Sequence, residues 1–340
     1  MRQIIFYITF LWVLGVSLAT AQDIHFSQYY NMPLTTNPAM TGLVNGQFRI
    51  QGIYRNQWWN TGSFGKPSFS TPGVTFDMPI HFGNSRSGMG IGATLLNDQS
   101  GGGLLNDFHG AISLSYLRRL DNNHQISFGL EPYCWSRNFS DDMQFASDLL
   151  GSGQQSINTL NTFVVDVNAG IFYTGKILSK WRMYSGLTLY NLAQSTINIQ
   201  DLAAMHNLRY SVQIGSEVEI SSQIRLLPSF VFMRQLNVDQ LNAGMAILYQ
   251  MNDVTSITTG IYVRSNDWIQ QLRGDAVIPY IGLDHKRIRA GLSYDYTVSD
   301  FQNQPEHAGG LELSLRYVHQ VRYLDCLLYT SPSPRDTMSS

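Results

Sequence analysis

The chain has 340 residues, of which 14% are charged, with 22 Lys and Arg against 24 Asp and Glu and a formal net charge of −2. A balance so near neutral excludes the electrostatic footprint of a nucleic-acid binder. So few charges, beside 12% aromatic residues and 29 glycines, suit an exterior that meets lipid at alternate side chains better than a water-facing surface.

The N-terminus reads as a targeting segment. Arg2, the apolar run Ile4 to Leu18 and the small-residue site Ala19-Thr20-Ala21 predict a secretory signal peptide over residues 1–21. No cysteine follows the cut, which argues against a lipid anchor. No later run reaches the roughly 18 apolar residues that a spanning helix needs. Cys134 and Cys326 are the only cysteines, too few for a disulfide framework.

Residues 22–46 hold Pro33 and Pro38 and precede the first alternating segment. From Phe48 onward side chains alternate. In "IRAGLSYDYTV", Ile288, Ala290, Leu292, Tyr294, Tyr296 and Val298 stand against Arg289, Gly291, Ser293, Asp295 and Thr297. The same alternation runs through "LRYSVQIGSEVEI" (Leu208 to Ile220) and "GLELSLRY" (Gly310 to Tyr317). Strict alternation gives a strand one apolar face and one polar face. Strands are predicted to start near Phe48, Val74, Gly88, Phe108, Gln125, Phe163, Arg182, Arg209, Ile224, Gln240, Thr255, Ala276, Ile288 and Gly310.

Their connections alternate in length. Long or medium links at Arg55–Ser70, Asp98–Leu105, Asn138–Asn161 and Leu192–Leu208 are interleaved with short ones at His81–Ser87, Asp121–Asn123, "GKILSK" and Ser221–Gln223. The exception is a tight link near Asn237–Asp239. Long outer loops and short periplasmic turns are the mark of an outer-membrane barrel. Backbone groups unpaired in hydrocarbon cost several kcal/mol each, so the sheet must close. The expectation is all-β: an antiparallel transmembrane β-barrel of about 14 strands over residues 47–320. A soluble sandwich would have shorter strands and more surface charge, and a propeller would show a repeat of about 40–50 residues. Residues 22–46 are then expected as a periplasmic segment, or folded into the barrel mouth. "LLYTSPSPRDTMSS", Leu327 to Ser340, breaks the alternation and resembles adapter-derived read-through, so 327–340 is expected to be a non-native or disordered tail.

Alternation sends Glu131, Arg209, Glu217, Glu219, Arg289, Asp295, Glu312 and Arg316 to the lumen. They either pair and fill it or line a narrow channel. Both signs occur on neighbouring strands, which favours pairing, with Arg289, Asp295, Glu312 and Arg316 the candidate lumen charge pairs. Trp58, Trp59, Tyr116, Trp135, Tyr173, Trp181, Tyr184, Tyr249 and Trp268 fall near strand ends, where interfacial belts sit.

Enzyme chemistry finds little support. The eight histidines form no H-x-H or H-E-x-x-H spacing, so no metal or other cofactor is expected. "GLSYD" lacks the second glycine of a nucleophile elbow and lies inside a strand. "GMGIG" is followed by nothing helical, so it is not a phosphate loop.

The segments "QDIHFSQYYNMPLTTNPAMTG" and "RIQGIYRNQWW" carry a more specific signal. Gln22-Asp23, His25-Phe26-Ser27-Gln28, Leu34, Asn37-Pro38-Ala39 and Tyr54 to Trp58 resemble the opening of the PorP/SprF family. "GMGIGATLLND", "DDMQF", "SYDYTVS" and "GGLELSLRY" extend the likeness in order to Tyr317. These are outer-membrane proteins of Bacteroidetes associated with the type IX secretion system and gliding motility. The resemblance implies a non-enzymatic barrel that helps secrete or tether large, adhesin-like surface proteins and contacts periplasmic secretion or gliding machinery. An outer-membrane diffusion channel is the alternative. His25, Phe26, Gln28, Tyr29, Asn37 and Pro38 are expected to pack against the barrel or a machinery partner. Trp58 and Trp59 are the one aromatic pair given a recognition role.

Overall fold

The computed structural model describes residues 26–57, 69–82, 86–140, 161–199, 202–266, 269, 273–298 and 309–320. Residues 1–21, expected as a signal peptide, together with His25, Trp58, Trp59, Trp268 and residues 327–340, expected as a non-native or disordered tail, lie outside the described residues. The strands are β1 (Phe48–Gln57), β2 (Phe69–His81), β3 (Ser87–Ser100), β4 (Leu105–Arg119), β5 (His124–Phe139), β6 (Thr162–Leu178), β7 (Trp181–Tyr190) and β8 (Thr196–Ile199). They continue as β9 (Leu202–Met205), β10 (Arg209–Glu219), β11 (Ile224–Gln235), β12 (Val238–Asn252), β13 (Thr255–Asn266), β14 (Arg273–His285), β15 (Ile288–Thr297) and β16 (Gly310–His319).

Fourteen of them, all but β8 and β9, close into one antiparallel barrel. Each barrel strand pairs with the barrel strands before and after it, β7 with β10 among them, and β1 meets β16 from Phe48↔His319 to Gln57↔Gly310. With no free edge, the wall satisfies its own backbone, which is what a bilayer demands. β8 and β9 form a separate hairpin in the connection between β7 and β10, where the sequence predicts only a long link.

β2 starts at Phe69, not near Val74. Pro72 hides the start because proline is usually excluded from a ladder. Here its missing N–H falls in a gap of the β2–β3 ladder, between Ser70↔Gln99 and Gly73↔Leu96. Pro132, Pro228 and Pro279 sit in similar gaps of the β4–β5, β10–β11 and β14–β15 ladders. The medium link expected at Asp98–Leu105 is also shorter, because the β3–β4 ladder runs to Ser100↔Leu105. Gly101 and Gly103 allow that turn by taking φ of 61° and 95°.

The outer face is apolar, as at Ile112, Leu130, Phe163 and Ile261, each more than half exposed. Tyr116, Trp181 and Tyr249 also project from the outer face. Trp135 and Tyr184 instead share the inward face of their strands, with Tyr133 and Thr188. A one-residue misjudgement of strand phase reverses a side chain's face, so proximity to a strand end could not assign these two to a belt.

The inward face is buried all the way round. Gln51, Thr75, Thr94, Ser113, Glu131, Asn168, Thr188, Ser211, Val231, Asn242, Thr258, Ile278, Ser293 and Glu312, one from each barrel strand, are at most 4% exposed. A water-filled pore would leave such residues wet. The lumen is filled along these faces.

What fills it is the N-terminal segment. Residues 26–45, expected in the periplasm or folded into the barrel mouth, pass through the lumen, as two 3-10 turns, Tyr29–Asn31 and Pro38–Met40, flanking a single α-turn at Pro33–Thr36. Met32 and Leu34 are almost wholly buried there, contributing about 1.5–3 kcal/mol each. Phe26 and Met32 join Ile53 and Leu96 in one apolar cluster; Tyr30 packs on a second, made of Ala246, Tyr262, Ala276, Ile278 and Tyr280. The lumen is therefore partly an apolar core, which drew the segment in.

Candidate functional site: the plugged lumen

At the loop-side end of the plug, five charged side chains from five strands converge. Arg55 of β1 bridges to Glu312 of β16 at 2.5 Å and to Asp295 of β15 at 3.0 Å. Arg264 of β13 bridges to the same Asp295 at 2.7 Å and to Asp275 of β14 at 2.5 Å. Buried ion pairs repay desolvation only when the remaining lone pairs are also satisfied. The plug supplies that for Glu312, which accepts the backbone N–H of Ser27 at 2.7 Å and of Gln28 at 2.9 Å, while Asp295 Oδ1 stays buried without a partner. Ser27 Oγ donates to Asp295 at 2.8 Å, and Gln28 Nε2 reaches Ser293 Oγ and the Glu312 carbonyl at 2.9 Å each.

Farther along, the wall is carved to the plug's main chain. Gly90, Ser115, Gly129, Gly170 and Thr188 are direct register partners across β3 to β7. A Cβ on Gly129 would lie 2.2 Å from Ala39 N, and one on Gly90 2.3 Å from the Thr41 carbonyl. Only hydrogen fits at these two places. Between them, Ser115 donates to the Thr41 carbonyl at 2.6 Å and Ser127 to that of Ala39 at 2.6 Å. Thr188 donates to the Thr36 carbonyl at 3.0 Å. Asn37 accepts the Ala39 N–H at 2.9 Å, capping the second 3-10 turn, and donates to the Ile171 carbonyl at 3.1 Å.

Nearer the turn side, Asp77 holds Arg49 through two bonds of 2.8 Å and accepts the Gly42 N–H at 2.8 Å. Gly42 takes a φ of +74°, which an L side chain rarely adopts. Glu131, buried with no ion pair among the described residues, takes bonds from Ser113 Oγ and, at 3.0 Å, from Asn168.

The residues singled out from sequence divide into two groups. Phe26, Gln28, Tyr29, Asn37 and Pro38 are brought together in the lumen, where they contact the barrel wall. His25, Trp58 and Trp59 lie outside the described residues. The four lumen charges split by height. Arg289 and Arg316 face each other across β15–β16 and share Asp284 at 2.6 and 3.2 Å. Asp295 and Glu312 share Arg55. Each is bridged to a residue on another strand, and none to another of the four.

Sequence reasoning missed Arg49, Asp77, Arg55 and Arg264, along with the glycine and hydroxyl positions that face the plug. The inward phase of Arg49, Asp77 and Arg264 was available from alternation, whereas Arg55 falls in β1 and not in the long link expected from Arg55; the object they faced was not available.

The family described as "Type IX secretion system membrane protein PorP/SprF" matches residues 18–317. Among curated proteins no significant match was found. Among solved structures, the chain is similar to a TodX deltaS2S3 mutant monoaromatic hydrocarbon channel, with a TM-score of 0.56, 9% identity and coverage of 86% of this chain and 94% of the other. It is similar to a Pseudomonas aeruginosa FadL homologue, with a TM-score of 0.54, 10% identity and coverage of 83% and 92%. The P. putida toluene transporter TodX gives a TM-score of 0.51 at 9% identity over 86% and 95%. At such identities the likeness is one of fold. The closed barrel, its apolar outer face and the match over most of the sequence lead to one conclusion: this chain belongs to the PorP/SprF family of type IX secretion system membrane proteins, as a fourteen-stranded barrel of a Gram-negative outer membrane.

Proposed function

We propose that this protein helps export or tether a large, adhesin-like surface protein, its long loops facing the client and its turn side facing periplasmic machinery. The observation that supports this reading over an open diffusion channel is that every barrel strand carries a buried inward-facing residue. A barrel sealed by its own N-terminal segment works as a platform. The channel reading has the fold of TodX and the FadL homologue in its favour, but fold alone does not carry their transport to this chain.

Deletion of the gene should retain a large surface protein in the periplasm, scored by surface biotinylation and fractionation. Normal surface display in the deletion strain would overturn the proposal. In planar bilayers the full-length protein should be silent, whereas removal of residues 26–42 should give steady current. Steady current from the intact chain would favour the channel.

A further inference from the structure

The short turns gather at the end of the barrel where β1 begins and β16 finishes. Beside the plug, this mouth holds a recess of about 370 Å³ lined by Lys176, Lys180, Trp181, Arg182, Glu217, Glu219 and Arg225, with Ser179. No plug residue lines it. Lys176 shares its face of β6 with buried Phe172, Arg182 shares its face of β7 with buried Thr188, and Arg225 shares its face of β11 with buried Val231. These cations therefore turn into the mouth and away from lipid.

The charge pattern is unusual for a wall that only has to be stable. Lys176 and Arg182 are direct register partners across β6–β7, an arrangement in which like charges repel. Glu217 is Arg182's partner on β10, yet it bridges to Arg225 at 3.1 Å. Among the described residues, Lys176, Lys180 and Arg182 have no side-chain ion pair or hydrogen bond. Four cations meet two carboxylates, and three of the cations are left over.

We infer that this recess docks an acidic segment of a periplasmic partner protein. Acidic side chains would meet Lys176, Lys180 and Arg182, and main-chain N–H groups would donate to Glu217 and Glu219. The two carboxylates would repel a bare phosphate, and the inward aim of Lys176, Arg182 and Arg225 turns these three from the headgroup layer. A peptide suits both signs. That the partner is periplasmic rests on the secretion-machinery reading above; the recess and its charge do not.

The probe is a fluorescein-labelled oligoglutamate peptide, titrated by anisotropy against full-length protein in phosphatidylcholine nanodiscs. Saturable binding that weakens with salt is expected, and Lys176→Glu with Arg182→Glu should weaken it about tenfold or more. Arg119→Glu, at the same end of the barrel but outside the recess, should leave it unchanged, and heat-modifiable gel migration should show all variants folded. Absent binding, equal binding by the double variant, or equal affinity for oligolysine would overturn the inference. So would binding of phosphatidylglycerol, lost in the double variant, that oligoglutamate fails to displace; that outcome makes the recess a lipid site. The two readings fail separately: normal client display after gene deletion removes the secretion role and leaves the peptide titration standing. A secretion-dependent client with an indifferent double variant removes the recess alone.

Discussion

Glu312 and Ser27, 285 positions apart in sequence, are joined by a 2.7 Å hydrogen bond from the Ser27 N–H to the Glu312 carboxylate. The acceptor is fully buried and shares Arg55 with Asp295. One carboxylate thus fastens the last strand, the first strand and the plug. Truncating one member of a buried ion-pair network costs about 3–5 kcal/mol, because the remaining charge is left uncompensated. Glu312→Ala should lower the denaturant midpoint accordingly and open residues 26–42 to protease. Glu312→Gln keeps an acceptor and should do less. A plug equally protected in wild type and Glu312→Ala would contradict the latch.

Gly129 makes a cleaner test, because it carries no charge. Its Cβ would strike the backbone of Pro38 and Ala39, neither of which can rotate away. Overpacking of this kind costs about 1–3 kcal/mol. Gly129→Ala should displace the plug and produce current in planar bilayers. Gly52→Ala is the control, since the nearest atom to its Cβ, the Gly73 carbonyl oxygen, lies at 3.9 Å and it should stay silent.

Depth in the membrane can be read along β15. Leu292 lies mid-strand and Ile288 at the turn-side end, both on the exposed apolar face. Leu292→Arg should destabilise by about 2–4 kcal/mol and Ile288→Arg by about 0–1 kcal/mol, measured by reversible unfolding from vesicles. Equal costs at the two positions would sink the assignment of this face to lipid.

The β4–β5 turn should respond to acid. Asp121 accepts the Asn123 N–H at 2.7 Å and the His124 N–H at 2.8 Å. These bonds, that of Asn123 foremost, hold its carboxyl below the usual carboxylate value. A depressed folded pKa means that the turn's added order is present above the unfolded value of about 4 and is lost as pH falls through the folded one. Amide exchange at Asn123 and His124, corrected for intrinsic rates, should show protection falling only in that acid range. Asp121→Asn should show no such step.

How much of this was legible differs by element. Alternation in Ile288–Val298 placed Leu292 outward and Ser293 inward because a strand's side-chain period is two, whatever lies across from it. Connection lengths and closure followed from the bilayer's demand for paired backbone. The glycines were visible too, and alternation turns Gly129 inward and Gly52 outward. Only the tertiary structure shows a main chain 2.2 Å from a Cβ at Gly129.

The sequence by itself determined the strands, their phase, the barrel and its lipid face, since these depend on local period and on the solvent outside. Only the tertiary structure decided that residues 26–45 lie inside the lumen, that Glu312 binds Ser27, and that Arg289 and Arg316 share Asp284. Those contacts join residues from separate strands around a closed ring, and no local pattern records which side chains closure brings together.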